Sequence, residues 1–117
     1  MMVRRGDIVL VDFPYADEPG RSKVRPAVVV QNDVGNRFSP YTIVIAVTSQ
    51  ATGKVYPVRV TLPANETTGL RQPSFADAGL VATIAKDRIR KVIGRATGEV
   101  LRQIGHALAI SLGLEAF

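Results

Sequence analysis

The sequence predicts a mainly β fold, a small and strongly bent barrel of short antiparallel strands with one helix laid against it at the C-terminus. Three observations predict it. Short runs rich in Val and Ile recur along the chain, bounded by Gly, Pro, Asn or Ser. The apolar period lengthens to helical spacing only after Thr97. The 117 residues suffice for one domain with a core of its own, and they include no cysteine for a disulfide framework or a thiolate metal site.

The strand candidates follow in order. DIVLVDF (7–13), RPAVVVQ (25–31), TIVIAVT (42–48), VYPVRVTL (55–62) and IRKVIG (89–94) are all β-type in composition. A further run over 73–84 is less regular because of Ala76, Ala78 and Gly79. In 55–62, Tyr56, Val58, Val60 and Leu62 alternate with more polar positions, so one face is apolar. Pro57 cannot donate to a ladder and makes that run an edge strand. Between the second and third runs, Gln31, Asn32, Asp33, Gly35 and Asn36 read as turn chemistry. At the C-terminus, Val100, Leu101, Ile104, Leu108 and Leu112 fall on one helical face, with Thr97 placed to cap the helix and Glu99 in its first turn.

Fifteen Lys and Arg against ten Asp and Glu give a net charge of +5, which favours an anionic partner. The same charges read equally well as solvated faces, and the densest group (Lys86, Arg88, Arg90, Lys91, Arg95) as a charged edge that blocks aggregation. MMVRRGD runs straight into strand-like sequence without an apolar leader, and no apolar stretch is long enough to span a membrane, so a cytoplasmic protein without membrane partners is expected.

The inventory of reactive residues is narrow. The single histidine, His106, falls inside the helix and reads as a solvent-facing or interfacial residue. The carboxylates are scattered without a pair on one strand face, and there is no phosphate loop, so neither a metal nor another cofactor is expected. A basic domain that cleaves nucleic acid with such residues needs a substrate carrying its own nucleophile, and RNA does, in its 2′-hydroxyl. An arginine fork and a hydroxyl donor can then stabilise the extra charge on the phosphorane. Arg25 lies at the mouth of one strand and Thr48 at the exit of the next, so antiparallel pairing brings them together. The plainer reading of the pair is a solvated arginine and a threonine chosen for β-propensity.

RRGDIVLVDFP, VRPAVVVQNDVGNRFSP, IAVTSQ, TIAKDRI followed by IG, and the helix ending in ALAISLG together resemble the MazF/PemK family of toxin endoribonucleases across nearly the whole chain. The resemblance implies an SH3-like β-barrel with a C-terminal helix, a homodimer, and neutralisation by a cognate antitoxin through an acidic extended segment. It implies metal-independent cleavage of single-stranded RNA at a short sequence, leaving a 2′,3′-cyclic phosphate. The family's catalytic Arg, in its Arg-Pro motif, matches Arg25, and its catalytic Thr matches Thr48. Lys23, Asn32, Ser49, Gln50, Arg71 and Ser74 are candidates for RNA contact by polarity and position, and the loop 31–40 is expected to shape the wall beside Arg25. Two departures stand out. Leu80, Val81 and Ala82 occupy positions where many members carry Gln-x-Arg or Gln-x-Lys, and Ser22 and Lys23 occupy positions where glycines are common. The alternative is a non-catalytic barrel that binds nucleic acid or protein. Its gyrase-poison form, which resembles CcdB, uses a C-terminal tryptophan that this chain lacks.

Overall fold

Residues 27–30 are apolar without alternation because both faces of their strand are covered. In the computed structural model, which describes residues 2–14, 22–50 and 57–117, six antiparallel strands form one sheet in the order β4-β5-β3-β2-β1-β6. They are β1 (Asp7–Pro14), β2 (Ser22–Val29), β3 (Tyr41–Ser49), β4 (Arg59–Leu62), β5 (Ser74–Ala85) and β6 (Ile89–Arg95). Two helices complete the chain, α1 (Asp33–Phe38) and α2 (Gly98–Ser111).

The central strands separate two apolar layers. Ile8, Val28, Val30, Ile45 and Val47 face one side, where Ile104 and Ala107 of α2 complete the layer. Val9, Val11, Ala27, Val29, Val44 and Ala46 face the other, closed by Ile84 and Ile89 as the sheet curls round. Alternating side chains of a two-sided strand make exactly such a pair of layers from one continuous apolar run.

The sheet is bent rather than closed, with β4 and β6 at its edges. Irregular pairing supplies the bend. On β3, Ile45 faces Val81 but its neighbour Ala46 faces Asp77, so residues 78–80 bulge out of β5. The β1–β6 pairing shifts register twice. The edge position expected from Pro57 holds, although the strand itself begins at Arg59; residues 55 and 56 of the expected run lie outside the described residues.

The expected turn at 32–36 is instead the start of α1. Asn32 caps it, its side-chain oxygen accepting from the Gly35 N–H at 2.8 Å. Asn36 is buried inside a polar knot: its amide donates to Gln31 O and Asp33 Oδ1, and its Oδ1 accepts from Thr42 Oγ1 at 2.7 Å and Gln31 Nε2 at 3.1 Å. Lys86 Nζ donates to the Asn36 carbonyl from the far side. Turn-forming residue types can pin a short helix when tertiary partners satisfy every polar group.

α2 begins as the sequence predicts. Thr97 Oγ1 accepts from the Val100 N–H at 3.2 Å, and Ile104 and Ala107 are fully buried against β4 and β5. Leu112 departs from expectation: it is the C-cap of the helix, beyond the turn that faces the core, and is 62% exposed.

Candidate functional site

β2 and β3 pair antiparallel with Ala27 opposite Ala46. Continuing that register by two residues sets Arg25 opposite Thr48, at the end of the ladder where both layers open. Alternation places both on the side of Ala27 and Ala46. Thr48 is half-buried, and its Oγ1 is shielded from solvent with no hydrogen-bond partner among the described residues. Such an orphaned hydroxyl is uncommon in a folded protein and asks for a partner from outside it.

Beside Arg25 lies a cleft of about 420 Å³. Leu10, Val24, Pro26, Val47, Leu70 and Ile93 give it an apolar floor, while Arg25, Arg71 and Lys91 bring positive charge and Ser49, Gln72 and Ser74 bring polar groups. No carboxylate lines it among the described residues. The floor follows from register: Leu10 pairs with Pro26 on one side and Lys91 on the other.

The far wall is the turn before β5, held by close backbone contact. Gly69 has φ +70°, and a Cβ there would stand 2.0 Å from the Ile93 carbonyl oxygen, so only glycine fits. Thr68 ties the turn to itself, donating from Oγ1 to Pro63 O at 2.7 Å and accepting no large side chain from β6, where Gly94 meets it.

Of the residues singled out from sequence, Arg25, Ser49, Arg71 and Ser74 line this cleft; Thr48 does not, since Val47 and Ser49 alternate towards it and Thr48 towards the other layer. Ser74 is buried and donates from Oγ to Gln72 O at 2.9 Å, which bends the turn. Gln50 stands next to them, its Nε2 donating to Ser74 O at 3.3 Å. Lys23 is exposed on β2 opposite Phe13 and does not line the cleft. Asn32 caps α1 beyond the opposite end of β2, so the 31–40 segment does not form the wall beside Arg25. Its polar side chains are used in anchoring α1 instead.

A family model described as PemK-like, MazF-like toxin of type II toxin-antitoxin system matches residues 4–112. The chain belongs to this toxin family. It is 36% identical over all 117 residues to the endoribonuclease EndoA of Bacillus subtilis, with both chains covered in full. A crystal structure of MazF from Deinococcus radiodurans is similar with a TM-score of 0.77 at 25% identity, covering 97% of this chain and 98% of that one. A MazE–MazF complex from the same organism matches with a TM-score of 0.71 at 25% identity and 97% coverage of each chain.

Within this PemK/MazF framework the departures from the family pattern have definite places. Leu80 is exposed in the β5 bulge, Val81 pairs with Ile45, and Ala82 packs on the second layer; none of them lines the cleft. The loop 15–21 preceding Ser22 lies outside the described residues. His106 is exposed on α2, with Nδ1 2.7 Å from Glu115 Oε2, away from Arg25. Sequence reasoning missed Gln72 and Lys91 as cleft residues. The signal for Lys91 was its position two residues before Ile93 on one strand, which puts both on the same face.

Among the described residues no group of three or more His, Asp or Glu side chains could hold a metal ion, and no helix is long and apolar enough to cross a membrane.

Proposed function

We propose that this PemK/MazF toxin is an endoribonuclease that cuts single-stranded RNA at a short sequence, in the cytoplasm, without a metal. The observation that carries the reading is the register of β2 on β3, which sets Arg25 opposite the orphaned Thr48 hydroxyl, with a cationic cleft that no carboxylate lines among the described residues beside Arg25. The substrate's 2′-oxygen attacks the adjacent phosphorus, its proton passes to solvent, and the bond from phosphorus to the 5′-oxygen breaks as that oxygen takes up a proton. A 2′,3′-cyclic phosphate and a 5′-hydroxyl result. Arg25 stays protonated throughout and holds two phosphoryl oxygens as charge builds on them. Thr48 donates its hydroxyl to a phosphate oxygen or to the 2′-oxygen.

The similarity to EndoA, named an endoribonuclease, and to MazF solved with MazE supports this reading. It also supports a homodimer as the working form and a cognate antitoxin with an acidic extended segment that competes for the +5 chain. Incubation of the purified protein with structured and unstructured RNA in EDTA tests the function. Cutting that survives chelation, leaves the cyclic phosphate, and spares an all-DNA copy of the cleaved site is expected. Binding without cutting would favour the non-catalytic barrel instead.

A further inference from the structure

Thr48 belongs to a row of side chains that crosses the sheet on one face. β3 sets Thr48 opposite Phe75 of β5, and β4 sets Thr61 opposite the same Phe75. One pair further along the ladders, Asp77 stands between Ala46 and Arg59. Paired residues of antiparallel strands point to one side, and neighbours along a strand point to opposite sides. Phe75, Asp77 and Arg59 therefore share the side of Thr48 and Ala46, while Val60, Ala76 and Ala78 face the layer that α2 completes. Contacts on the Thr48 side tie this corner down. Arg59 Nε donates to Asp77 Oδ2 at 3.1 Å, and the two side chains are only 12% and 5% exposed. Asp77 Oδ1 accepts from the Gly79 N–H at 2.8 Å, which anchors the carboxylate to the β5 bulge. The guanidinium carbon of Arg59 then lies 5.6 Å from the centre of the Phe75 ring.

The pinned ring is buried, and its neighbour across the ladder carries the orphaned hydroxyl. Directly opposed side chains have their Cβ atoms about 4.5–5.5 Å apart, close enough for a flat ring to limit how a β-branched residue turns. A phenyl ring also has no nitrogen or oxygen to engage the hydroxyl. We propose that Phe75 is a positioning residue for RNA cleavage: pinned by Arg59 and Asp77, it holds Thr48 in the one rotamer in which Oγ1 meets the scissile group, and it keeps that hydroxyl unspent until the substrate arrives. The proposal rests on the endoribonuclease reading and deepens it. Phe75 and its two clamps act through Thr48 and not on the RNA. A hydroxyl oriented in advance stabilises charge that develops during the reaction, so the effect falls on the rate of cutting and not on RNA affinity.

The test is a double-mutant cycle with Thr48→Val, read as single-turnover cleavage of a target RNA and as affinity for a copy made uncleavable by a 2′-deoxy sugar at the scissile position. Phe75→Leu keeps an apolar filling without the ring; it should slow cleavage about tenfold and leave affinity within about twofold. Arg59→Met combined with Asp77→Asn removes both charges together, so neither is left buried and alone, and should slow cleavage about threefold. In the Thr48→Val background neither change should slow cleavage further, because the hydroxyl they position is gone. The NMR couplings of the Thr48 γ-methyl, which report χ1 without any substrate, should show a single rotamer in the wild type and an average of rotamers in Phe75→Leu. Thermal melting of the same preparations separates these effects from misfolding.

If the wild type cuts RNA but folded Phe75→Leu cuts as fast, or its loss multiplies with that of Thr48→Val, the ring has no role through the hydroxyl while the enzyme stands. A single Thr48 rotamer retained in Phe75→Leu would overturn the proposal in the same way, and it decides the matter where Thr48→Val cuts too slowly to complete the cycle. If the wild type cuts no RNA, the endoribonuclease reading falls and the positioning role falls with it.

Discussion

At the scale of single residues, charge and geometry can be separated at Arg25. Lysine keeps the charge but has no planar fork to meet two phosphoryl oxygens. Arg25→Lys should therefore lose single-turnover cleavage nearly as badly as Arg25→Ala, on the order of 10²-fold or more, while RNA affinity falls far less. Full activity of Arg25→Ala in a folded protein would remove Arg25 from the site. Thr48 permits a cleaner separation, because its Oγ1 has no partner to lose among the described residues. Thr48→Val, which keeps the shape, should leave the urea midpoint unchanged or slightly raised and yet reduce cleavage on the order of 10-fold or more. A large drop in stability would show that the hydroxyl is structural. Both positions were legible in the sequence because strand ends and the order of two adjacent runs suffice to pair them. Lys91 and Gln72 were not, because their place in the cleft depends on the curl of β6 and on a turn whose shape is set by contact across the fold.

At the scale of elements, the strands could be read from composition to within a few residues, and the helix from its period and cap. The α1 segment could not. Its residues carry turn propensities, and only the knot around Asn36, with partners at Gln31, Thr42 and Lys86, makes a helix of them. Long-range hydrogen bonds of this kind leave no periodic trace in sequence. Asn36→Ala should strand the buried Thr42 hydroxyl, while the Gln31 amide keeps Tyr41 O, and cost about 1–3 kcal/mol, measured by urea unfolding. Because α1 sits beyond the opposite end of β2 from Arg25, cleavage by the folded variant should remain near wild type. A variant as stable as the wild type would show that the knot contributes nothing net.

For the whole molecule, net charge and pH response have separate origins. The +5 charge concerns partners, and the acid response concerns a few anchored carboxylates. Asp33 has its pKa lowered, first by the backbone N–H of Arg5, which donates to Oδ1 at 2.7 Å, and then by the Asn36 amide. A carboxylate whose folded pKa lies below its unfolded value adds stability that is fully present above the unfolded value, near pH 4, and is lost as pH falls through the folded one. Stability should thus decline from about pH 5 downward, and less steeply in Asp33→Asn, as read from thermal melts across that window. An identical acid limb in the two proteins would discount the contact. The burial of β2 and β3 on both faces has a consequence of its own for amide hydrogen exchange. Protons on Ala27 to Val29 and Val44 to Val47 should exchange last, through global opening, whereas those of the 63–72 turn should exchange through smaller fluctuations. The residues proposed to cut would then hang from the slowest-exchanging part of the chain, while the turn that walls the cleft across from them opens on its own.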